Sequence, residues 1–319
     1  MDKTYADTVR LLLAVAPDVF ANDIFAMKGG TAINLFVRDM PRLSVDIDVV
    51  YLPWQTPRDE ALQAINQELA AIATRLAPLG VQTRLVRAKD MGDTKLIVEN
   101  DANQVKIEVN VVFRGSVLPV ERRPLSARTS DLFGIELDVP ILAPDELYAG
   151  KLVAALDRQH PRDLFDVMQL FAHEGITPAI RRAFVVYLSC SNRPLHEVLF
   201  PPMRDIRHDY KFNFLGMTAE PVQLDALLAA RERLVREIQL GLDEEERRFL
   251  LSLVAGTPEW ELLGIDHVEQ LPGVRWKLQN LAQLRKSNLK KFAEQSDLLA
   301  ERLTAGGLND GAPPPRQQE

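Results

Sequence analysis

Alternation of apolar and polar residues predicts strands in two segments of the N-terminal half. Apolar residues occupy alternate positions in 45–50 and again in 105–113. Such alternation places apolar side chains on one face of a strand and polar side chains on the other. Between these strands, residues 58–79 carry apolar side chains at helical spacing, which predicts a long amphipathic helix. A short buried strand at 25–27 and a helix at 31–36 precede them.

The remaining chain has a helical pattern. A helix over 1–23 precedes the strands, and the pattern is helical again from Pro144 onward. The order of elements predicts an α+β (α/β) fold, with a mixed sheet, flanking helices and a mostly helical C-terminal domain. The predicted regions are a first domain over 1–190, a helical domain over 191–303 with long helices at 219–255 and 268–303, and a disordered tail over 304–319.

A diglycine turn followed by a carboxylate pair is the strongest chemical signal. Gly29 and Gly30 separate the first strand from its helix, where close backbone approach and unpaired N–H groups suit phosphate. Thr31 either caps this helix or contacts phosphate. Asp46 and Asp48 share the polar strand face, where a cation such as magnesium would offset their repulsion. A solvent-exposed strand face is the alternative, but it requires no diglycine turn, so the combination favours a metal–nucleotide site.

A third carboxylate is expected if the chemistry is phosphoryl or nucleotidyl transfer, because two ions then clamp the reacting phosphate. The candidate is Glu108, in the middle of the polar face of the second strand between Lys106 and Asn110. An exposed strand face with mixed Lys and Glu residues is the alternative interpretation of this segment.

A helix after Pro144 carries the third group of candidates. Lys151 and Arg158 fall on one stripe around a small residue, which leaves room for a triphosphate between two cations, although a solvated helix face is an equal alternative. Asp163 stands where a helix N-cap is expected, so capping competes with a catalytic role. Asp166 lies one turn further on, and we predict it to be the functional acid.

These blocks together resemble the AbiEii/MenT-type nucleotidyltransferase toxins, the enzymatic half of bacterial toxin–antitoxin pairs. The resemblance rests on segments spread over about 140 residues: KGGTAINL at 28–35, RLSVDID at 42–48, the strand acid Glu108, KxxAxxxR at 151–158 and RDxxD at 162–166. It implies a nucleotidyltransferase fold of the polymerase-beta-like superfamily. Two departures are the Gly-Gly-Thr turn, where many nucleotidyltransferases have Gly-Ser, and glutamate in place of aspartate on the strand.

The resemblance also implies roles for individual residues. The implied metal ligands are Asp46, Asp48 and Glu108, and the implied catalytic set adds Lys151 and Asp166. The implied nucleotide-binding residues are Lys28, Gly29, Gly30, Thr31, Arg42, Ser44, Arg158 and Asp163. Mg²⁺ or Mn²⁺ is the expected ion, and an NTP is the expected substrate.

Composition restricts where such an enzyme would work. The chain has 319 residues, a net charge of −7 and one cysteine, so it has neither an internal disulfide nor a cysteine-cluster metal site. No apolar run approaches the roughly 20 residues of a membrane span. The first residues lack a basic start and an apolar core, so we expect no secretion signal and a cytoplasmic location.

The acceptor and partners are expectations from charge and resemblance. Residues 273–292 carry six cations and no acid, which suits an RNA backbone as well as an ordinary solvated helix face; these cations are Arg275, Lys277, Arg285, Lys286, Lys290 and Lys291. In the family that the chain resembles, the acceptor is tRNA modified at its 3′ end, and a cognate antitoxin accompanies the toxin. The alternatives are a protein hydroxyl, a small-molecule acceptor or a non-catalytic nucleotide-binding module.

Overall fold

The computed structural model describes residues 3–87 and 93–308, and its strands form one mixed sheet. The strands are β1 (Phe25–Lys28), β2 (Ile47–Tyr51), β3 (Gln82–Arg87), β4 (Asp93–Glu99), β5 (Gln104–Asn110), β6 (Glu121–Pro124) and β7 (Asp138–Ile141). Their order in the sheet is β3-β4-β5-β2-β1-β7-β6. The predicted mixed sheet with flanking helices is therefore confirmed.

Strand pairing places the polar residues of three strands in one row. β2 runs antiparallel to β1 and parallel to β5, so Asp48 lies opposite Lys28 on one side and Glu108 on the other. Directly paired residues in neighbouring strands project from the same face of the sheet. The predicted second strand continued to Phe113, but β5 ends at Asn110. The Asn110 side-chain oxygen accepts hydrogen bonds from the Val112 and Phe113 N–H groups, at 3.0 and 2.9 Å, and turns the chain.

Helices surround the sheet and make up the C-terminal half. They are α1 (Lys3–Val19), α2 (Gly29–Ala32), α3 (Arg58–Leu76), α4 (Ala127–Phe133), α5 (Pro144–Arg158), α6 (Pro161–Ala172), α7 (Pro178–Ser189), α8 (Leu195–Leu199), α9 (Arg207–Asn213), α10 (Leu224–Gly241), α11 (Glu244–Val254), α12 (Pro272–Ser287) and α13 (Leu289–Leu308). A π-helical turn over Ile33–Val37 continues α2. None of the helices in the described ranges is long and apolar enough to span a membrane.

The core lies between the sheet and the helices that cover it. The predicted apolar stripe of α3 is fully buried, at Ile65, Leu69, Ile72 and Leu76. This helix packs with α1 and against β3 and β4. α5 packs against α6 and α7, and α10 continues this layer by packing against α6. Asp48 and Glu108 lie on β2 and β5, which are neighbouring strands in the interior of this sheet.

The two long C-terminal helices that we predicted are each interrupted. Residues 219–255 contain α10, which ends at Gly241, and α11, which Asp243 starts by forming a capping box with Glu246. Residues 268–303 contain a 3₁₀ turn, α12 and α13, and Asn288 separates the last two by capping the new helix at the Lys291 N–H. Because α13 continues to Leu308, residues 304–308 of the predicted tail are helical, and 309–319 lie outside the described residues. A domain boundary at 190 stays a prediction.

Candidate active site

A cavity of about 760 Å³ opens where β1, β2 and β5 face α5, and it collects most of the predicted site residues. The row Lys28, Asp48 and Glu108 forms part of its wall. All of the predicted site residues line this cavity except Thr31 and Asp166. Residues far apart in the sequence therefore meet at one place because the strand order brings their elements together.

Both glycines of the diglycine turn make room for side chains of the protein itself. Gly29 has φ +77°, and a Cβ at this position would overlap the Asp48 carboxylate. A Cβ on Gly30 would lie 2.6 Å from Arg42 Nη2. α2 begins at Gly29 rather than at Thr31, directly after β1. The turn thus brings the carboxylate and the guanidinium up to the backbone, and its use for phosphate stays a prediction.

Thr31 has neither of the two roles that we considered from the sequence. It is 1% exposed, and no side-chain cap is present at the start of α2. Its hydroxyl donates to the Asp46 carbonyl oxygen at 2.5 Å and lies 3.0 Å from Ser44 Oγ. On the other side, the Ser44 N–H donates to the Tyr5 hydroxyl at 2.8 Å. Thr31 and Tyr5 therefore hold the segment that presents Asp46 to the cavity.

Asp46 and Asp48 are carboxylates in an unfavourable electrostatic environment. Burial raises the pKa of Asp48, and the charges of Glu108 and Asp46 raise it further, while Lys28 opposes the shift. Burial also raises the pKa of Asp46, with Lys106 opposing and Glu108 adding to the shift. A bound cation would favour the ionised form of both carboxylates. Two hard oxygen donors that need positive charge are a suitable donor set for a divalent ion.

Glu108 differs from this pair because it has a lysine partner within the protein. Its carboxylate accepts a hydrogen bond from Lys95 Nζ at 2.9 Å, and its side chain is 29% exposed. Across residues 3–87 and 93–308, no three His, Cys, Asp or Glu side chains are grouped closely enough to hold a metal ion. The structure therefore does not assemble the predicted three-carboxylate ligand set, and the donor pair that it offers is Asp46 and Asp48.

A chain of ion pairs, buried except at Arg158, lines the cavity and extends beneath it. Asp166 accepts from Arg42 Nε and Nη2, both at 2.6 Å, and lies 3.0 Å from Lys151 Nζ. Lys151 also donates to Asp163 at 2.9 Å, and Asp163 accepts from Arg158 Nε at 2.5 Å. Burial raises the pKa of both aspartates, but the cations outweigh it, so both pKa values lie below the ordinary range. All five side chains are charged, and the three cations outnumber the two carboxylates by one.

Asp163 fills the space that we predicted for a triphosphate. Its carboxylate contacts both Lys151 and Arg158, so it occupies the gap between these cations. The N-cap prediction for Asp163 is also wrong, because His160 caps α6 by accepting from the Arg162 N–H at 3.1 Å. Arg158, whose side chain is 62% exposed, remains accessible from the cavity while Asp163 fixes its orientation.

Asp166 and Arg42 are buried, whereas the predicted roles of functional acid and nucleotide-binding residue require access to the substrate. Asp166 is 1% exposed and does not line the cavity, whereas Asp163 does. Arg42 is 3% exposed, and each of its three nitrogens donates to the protein, the third to the Leu43 carbonyl oxygen. The geometry therefore makes Arg42 and Asp166 a buried support for the 42–46 segment and for Lys151.

Part of the cavity wall comes from residues that the sequence analysis did not single out. Tyr187 of α7 and the segment after it, Ser191–Arg193, line the same cavity as the carboxylate row. Lys277 of α12 donates to the carbonyl oxygens of Ser191 and Arg193, at 2.8 and 2.7 Å. Lys277 is 5% exposed, and burial lowers its pKa to about 8, so it is not one of the outward cations predicted for RNA. In the sequence, the signal that could have indicated this wall segment is the polar run 191–193 directly after the apolar α7.

Comparisons with known proteins identify the family and the fold of this chain. The sequence model of the nucleotidyl transferase AbiEii toxin family, of type IV toxin–antitoxin systems, matches residues 10–280. MenT4, a nucleotidyltransferase toxin from Mycobacterium tuberculosis H37Rv, has a similar fold, with a TM-score of 0.57 and 18% identity over 87% of this chain and 94% of that chain. A comparison with curated proteins returns no match.

The family match covers the diglycine turn, the carboxylate pair, the strand acid and the helices that carry the ion pairs. It implies a nucleoside triphosphate substrate, a divalent metal ion and an antitoxin partner. The chain is a nucleotidyltransferase that belongs to the AbiEii toxin family.

Proposed function

We propose that this enzyme transfers a nucleoside monophosphate from an NTP to a terminal hydroxyl of RNA, with the 3′ end of tRNA as the acceptor. The observation that carries the proposal is the pairing of Asp46 and Asp48 in a cavity that also exposes Lys28 and Arg158. Carboxylates that need a cation, next to side chains that attract phosphate, suit a metal–triphosphate complex. Addition to the 3′ end of tRNA would block aminoacylation and so stop translation.

Asp46 and Asp48 would hold the divalent ion, and Mg²⁺ is the ion that we propose, with Mn²⁺ as the substitute. When bound, the ion neutralises charge on the triphosphate and fixes its position. The raised pKa values of both carboxylates fit this role, because each ionised side chain lacks sufficient positive charge in the protein alone. Lys28, opposite Asp48 across the β1–β2 pair, adds positive charge on the same wall.

In the transfer, the acceptor oxygen forms a bond to the α-phosphorus while the bond to pyrophosphate breaks. Glu108 accepts the proton of the attacking hydroxyl, since its carboxylate is partly exposed and lies beside Asp48 in the strand register. Arg158, held by Asp163, stabilises the charge that develops on the departing pyrophosphate. Lys151 is 8% exposed and engaged by two aspartates, so we assign it to positioning these groups.

Exposed cations on α12 and at the start of α13 would bind the backbone of the acceptor. Arg275, Arg285 and Lys286 project from α12 as exposed residues, and Lys290 and Lys291 follow on α13. Each phosphate contact adds a salt-dependent contribution to binding, so a few such cations suffice in a protein with a net charge of −7. Lys277 has a different role, because it is buried against the Ser191–Arg193 segment.

The test is a label-transfer assay with the purified protein, magnesium, each labelled NTP in turn, and total tRNA. Asp48→Asn is the matched control, because it keeps the shape of the side chain and removes the charge. We expect wild type to label tRNA and the variant to lose at least about a hundredfold in rate. Manganese should substitute for magnesium, and a chelator should abolish transfer. Label on protein or on a small molecule, with none on RNA, would contradict the proposed acceptor and leave the enzyme class unchanged.

Two further measurements address the acceptor and the toxin role. Arg285→Glu combined with Lys286→Glu should weaken tRNA modification while NTP binding is retained; an unchanged rate would exclude this face of α12 as the RNA site.

Expression of wild type should arrest growth, and Asp48→Asn should relieve the arrest. Co-expression of the cognate antitoxin should restore growth. Identical growth with wild type and Asp48→Asn would contradict the proposed toxicity.

A further inference from the structure

A second cavity, of about 380 Å³, adjoins the active site and has a different character. It lies between the loop after β2, the turn after β5 and α12, and Val112 lines both cavities. Its volume falls within the range of small-molecule sites. The described residues that line it include no Asp or Glu, but they include Arg58, Arg114 and Arg275. The cavity is therefore positively charged and suits an anionic ligand.

Arg114 is an unusual arginine for a buried position. It is 6% exposed, and its Nη1 donates to the Thr56 carbonyl oxygen at 3.0 Å, while its buried Nε has no hydrogen-bond partner. None of the acidic side chains in the described ranges forms an ion pair with it. A buried guanidinium without a counter-charge is costly unless an anion binds there. A phosphate group that reached Arg114 would supply both the charge and hydrogen-bond acceptors.

Two tryptophans and several amides supply the other half of a nucleotide site. Trp54 stacks on His267, with ring centroids 5.9 Å apart and planes at 27°. Gly115, at φ +88°, allows this packing, because a Cβ there would lie 2.7 Å from Trp54 Cβ. Trp276 enters from α12, and glutamine side chains lie beside it. Aromatic faces stack unpaired bases, and amides can hydrogen-bond to their edges.

The position of this cavity relative to the active site is set by one segment of chain. Glu108 and Asn110 line the first cavity, Val112 lines both, and Arg114 lines the second. Four residues of extended chain cover at most about 13 Å, so the two cavities are close enough for a few nucleotides to bridge. Asn110 fixes the turn between them through its bonds to the Val112 and Phe113 N–H groups.

We propose that the second cavity binds a nucleotide of the acceptor strand adjacent to the reacting 3′ end, with its base against the indoles and its phosphate at Arg114 and Arg275. The inference deepens the proposed function and rests on it. It assigns recognition of an unpaired strand to the seam between the sheet and α12. By holding this nucleotide, the second cavity positions the terminal hydroxyl of the RNA in the active-site cavity.

The test measures binding of a short single-stranded RNA, labelled with fluorescein, by fluorescence anisotropy. Trp276→Leu should weaken binding by a factor of about five to one hundred, the range for loss of one base–aromatic stack. Arg275→Gln, at an exposed position, should lower the slope of log K against log salt concentration by about 0.7. Arg236→Gln, an exposed arginine of α10, is the matched control and should change neither.

Intrinsic fluorescence provides a second measurement, because the chain has three tryptophans. RNA should quench wild type and quench Trp276→Leu less. Trp260→Phe should leave the absolute loss of emission on RNA binding unchanged, since Trp260 packs on Phe249 outside both cavities, with ring centroids 5.8 Å apart. A saturating non-hydrolysable NTP should not displace the labelled RNA, because it occupies the first cavity.

Three outcomes would overturn the inference: no binding of the RNA to wild type, unchanged binding in both Trp276→Leu and Arg275→Gln, or displacement of the RNA by the NTP analogue. The first is the result expected if this cavity receives a protein. Label transfer separates this inference from the proposed function. If wild type labels tRNA while both variants bind RNA normally, only the second cavity is refuted. If RNA binds in a Trp276-dependent manner and no RNA is labelled, the proposed function is refuted.

Discussion

The buried ion pair between Arg42 and Asp166 leads to a quantitative prediction about stability. Asp166 accepts two hydrogen bonds at 2.6 Å from Arg42 and contacts Lys151 at 3.0 Å, with all three side chains at most 8% exposed. Asp166→Asn keeps the shape but leaves the two cations with only Asp163 as a counter-charge. Removing one partner of a buried pair costs about 3–5 kcal/mol. We expect a loss of about 3 kcal/mol in the free energy of unfolding.

An exposed pair in the same protein provides the control. Arg233 and Glu237 approach to the same 2.6 Å, but their side chains are 45% and 33% exposed. Glu237→Gln should cost about 0.3–0.5 kcal/mol, as for exposed helix pairs. Urea denaturation at neutral pH measures both variants. Equal losses in the two variants would refute the reasoning, because the donor–acceptor distance is matched while burial and the number of cationic contacts differ.

A double-mutant cycle and a pH series extend the same test. Arg42→Met combined with Asp166→Asn should lower the free energy of unfolding by less than the sum of the single changes, since the double variant buries no unpaired charge of this pair. The folded-state pKa of Asp166 lies below its ordinary value of 3.8. Its contribution to stability is therefore present above that pH and is lost as pH falls toward the folded-state pKa. The difference between wild type and Asp166→Asn should shrink on acidification.

Further predictions concern the cavity wall. Asp48→Asn should leave the free energy of unfolding undiminished while transfer is lost, because burial and like charges already raise the pKa of Asp48; a large loss of stability on denaturation would contradict this. At limiting concentrations of the divalent ion, where protons compete with it for Asp48, the acid limb of the pH–rate profile should lie above pH 3.8, the ordinary value for that carboxylate. Gly29→Ala should destabilise more than Gly256→Ala, which has a similar φ of +81° but open space around it; equal melting temperatures would exclude the contact with Asp48. Lys277→Met should raise KM more than it lowers kcat. Between pH 8 and 10.5, the free energy of unfolding of wild type should increase by up to about 3 kcal/mol relative to that of Lys277→Met, because the unfolded chain holds the Lys277 proton over that range and the folded chain does not. Parallel stability curves would refute the pKa argument.

Local pattern determined the elements and the faces on which the chemistry lies. The side-chain period of a strand is two, so alternation alone placed Asp48 and Glu108 on the polar faces of their strands. The strand predicted from 45 begins only at Ile47, so Asp46 lies just before β2. The helical period likewise predicted the buried stripe of α3 and the shared stripe of Lys151 and Arg158. The order of motifs then identified the family, which the sequence model over 10–280 confirms.

Only the tertiary structure decided which charges meet. Arg42 and Asp166 are separated by 124 residues, and no local period relates them. Periodicity placed Lys151 and Arg158 together but did not show that Asp163 would arrive between them from α6. Likewise, the polarity of Thr31 and Lys277 suggested ligand contacts, whereas packing buried both against backbone carbonyl oxygens. The physical reason is that burial makes an unpaired charge or donor costly, so partners are selected by the packing of distant elements rather than by sequence spacing.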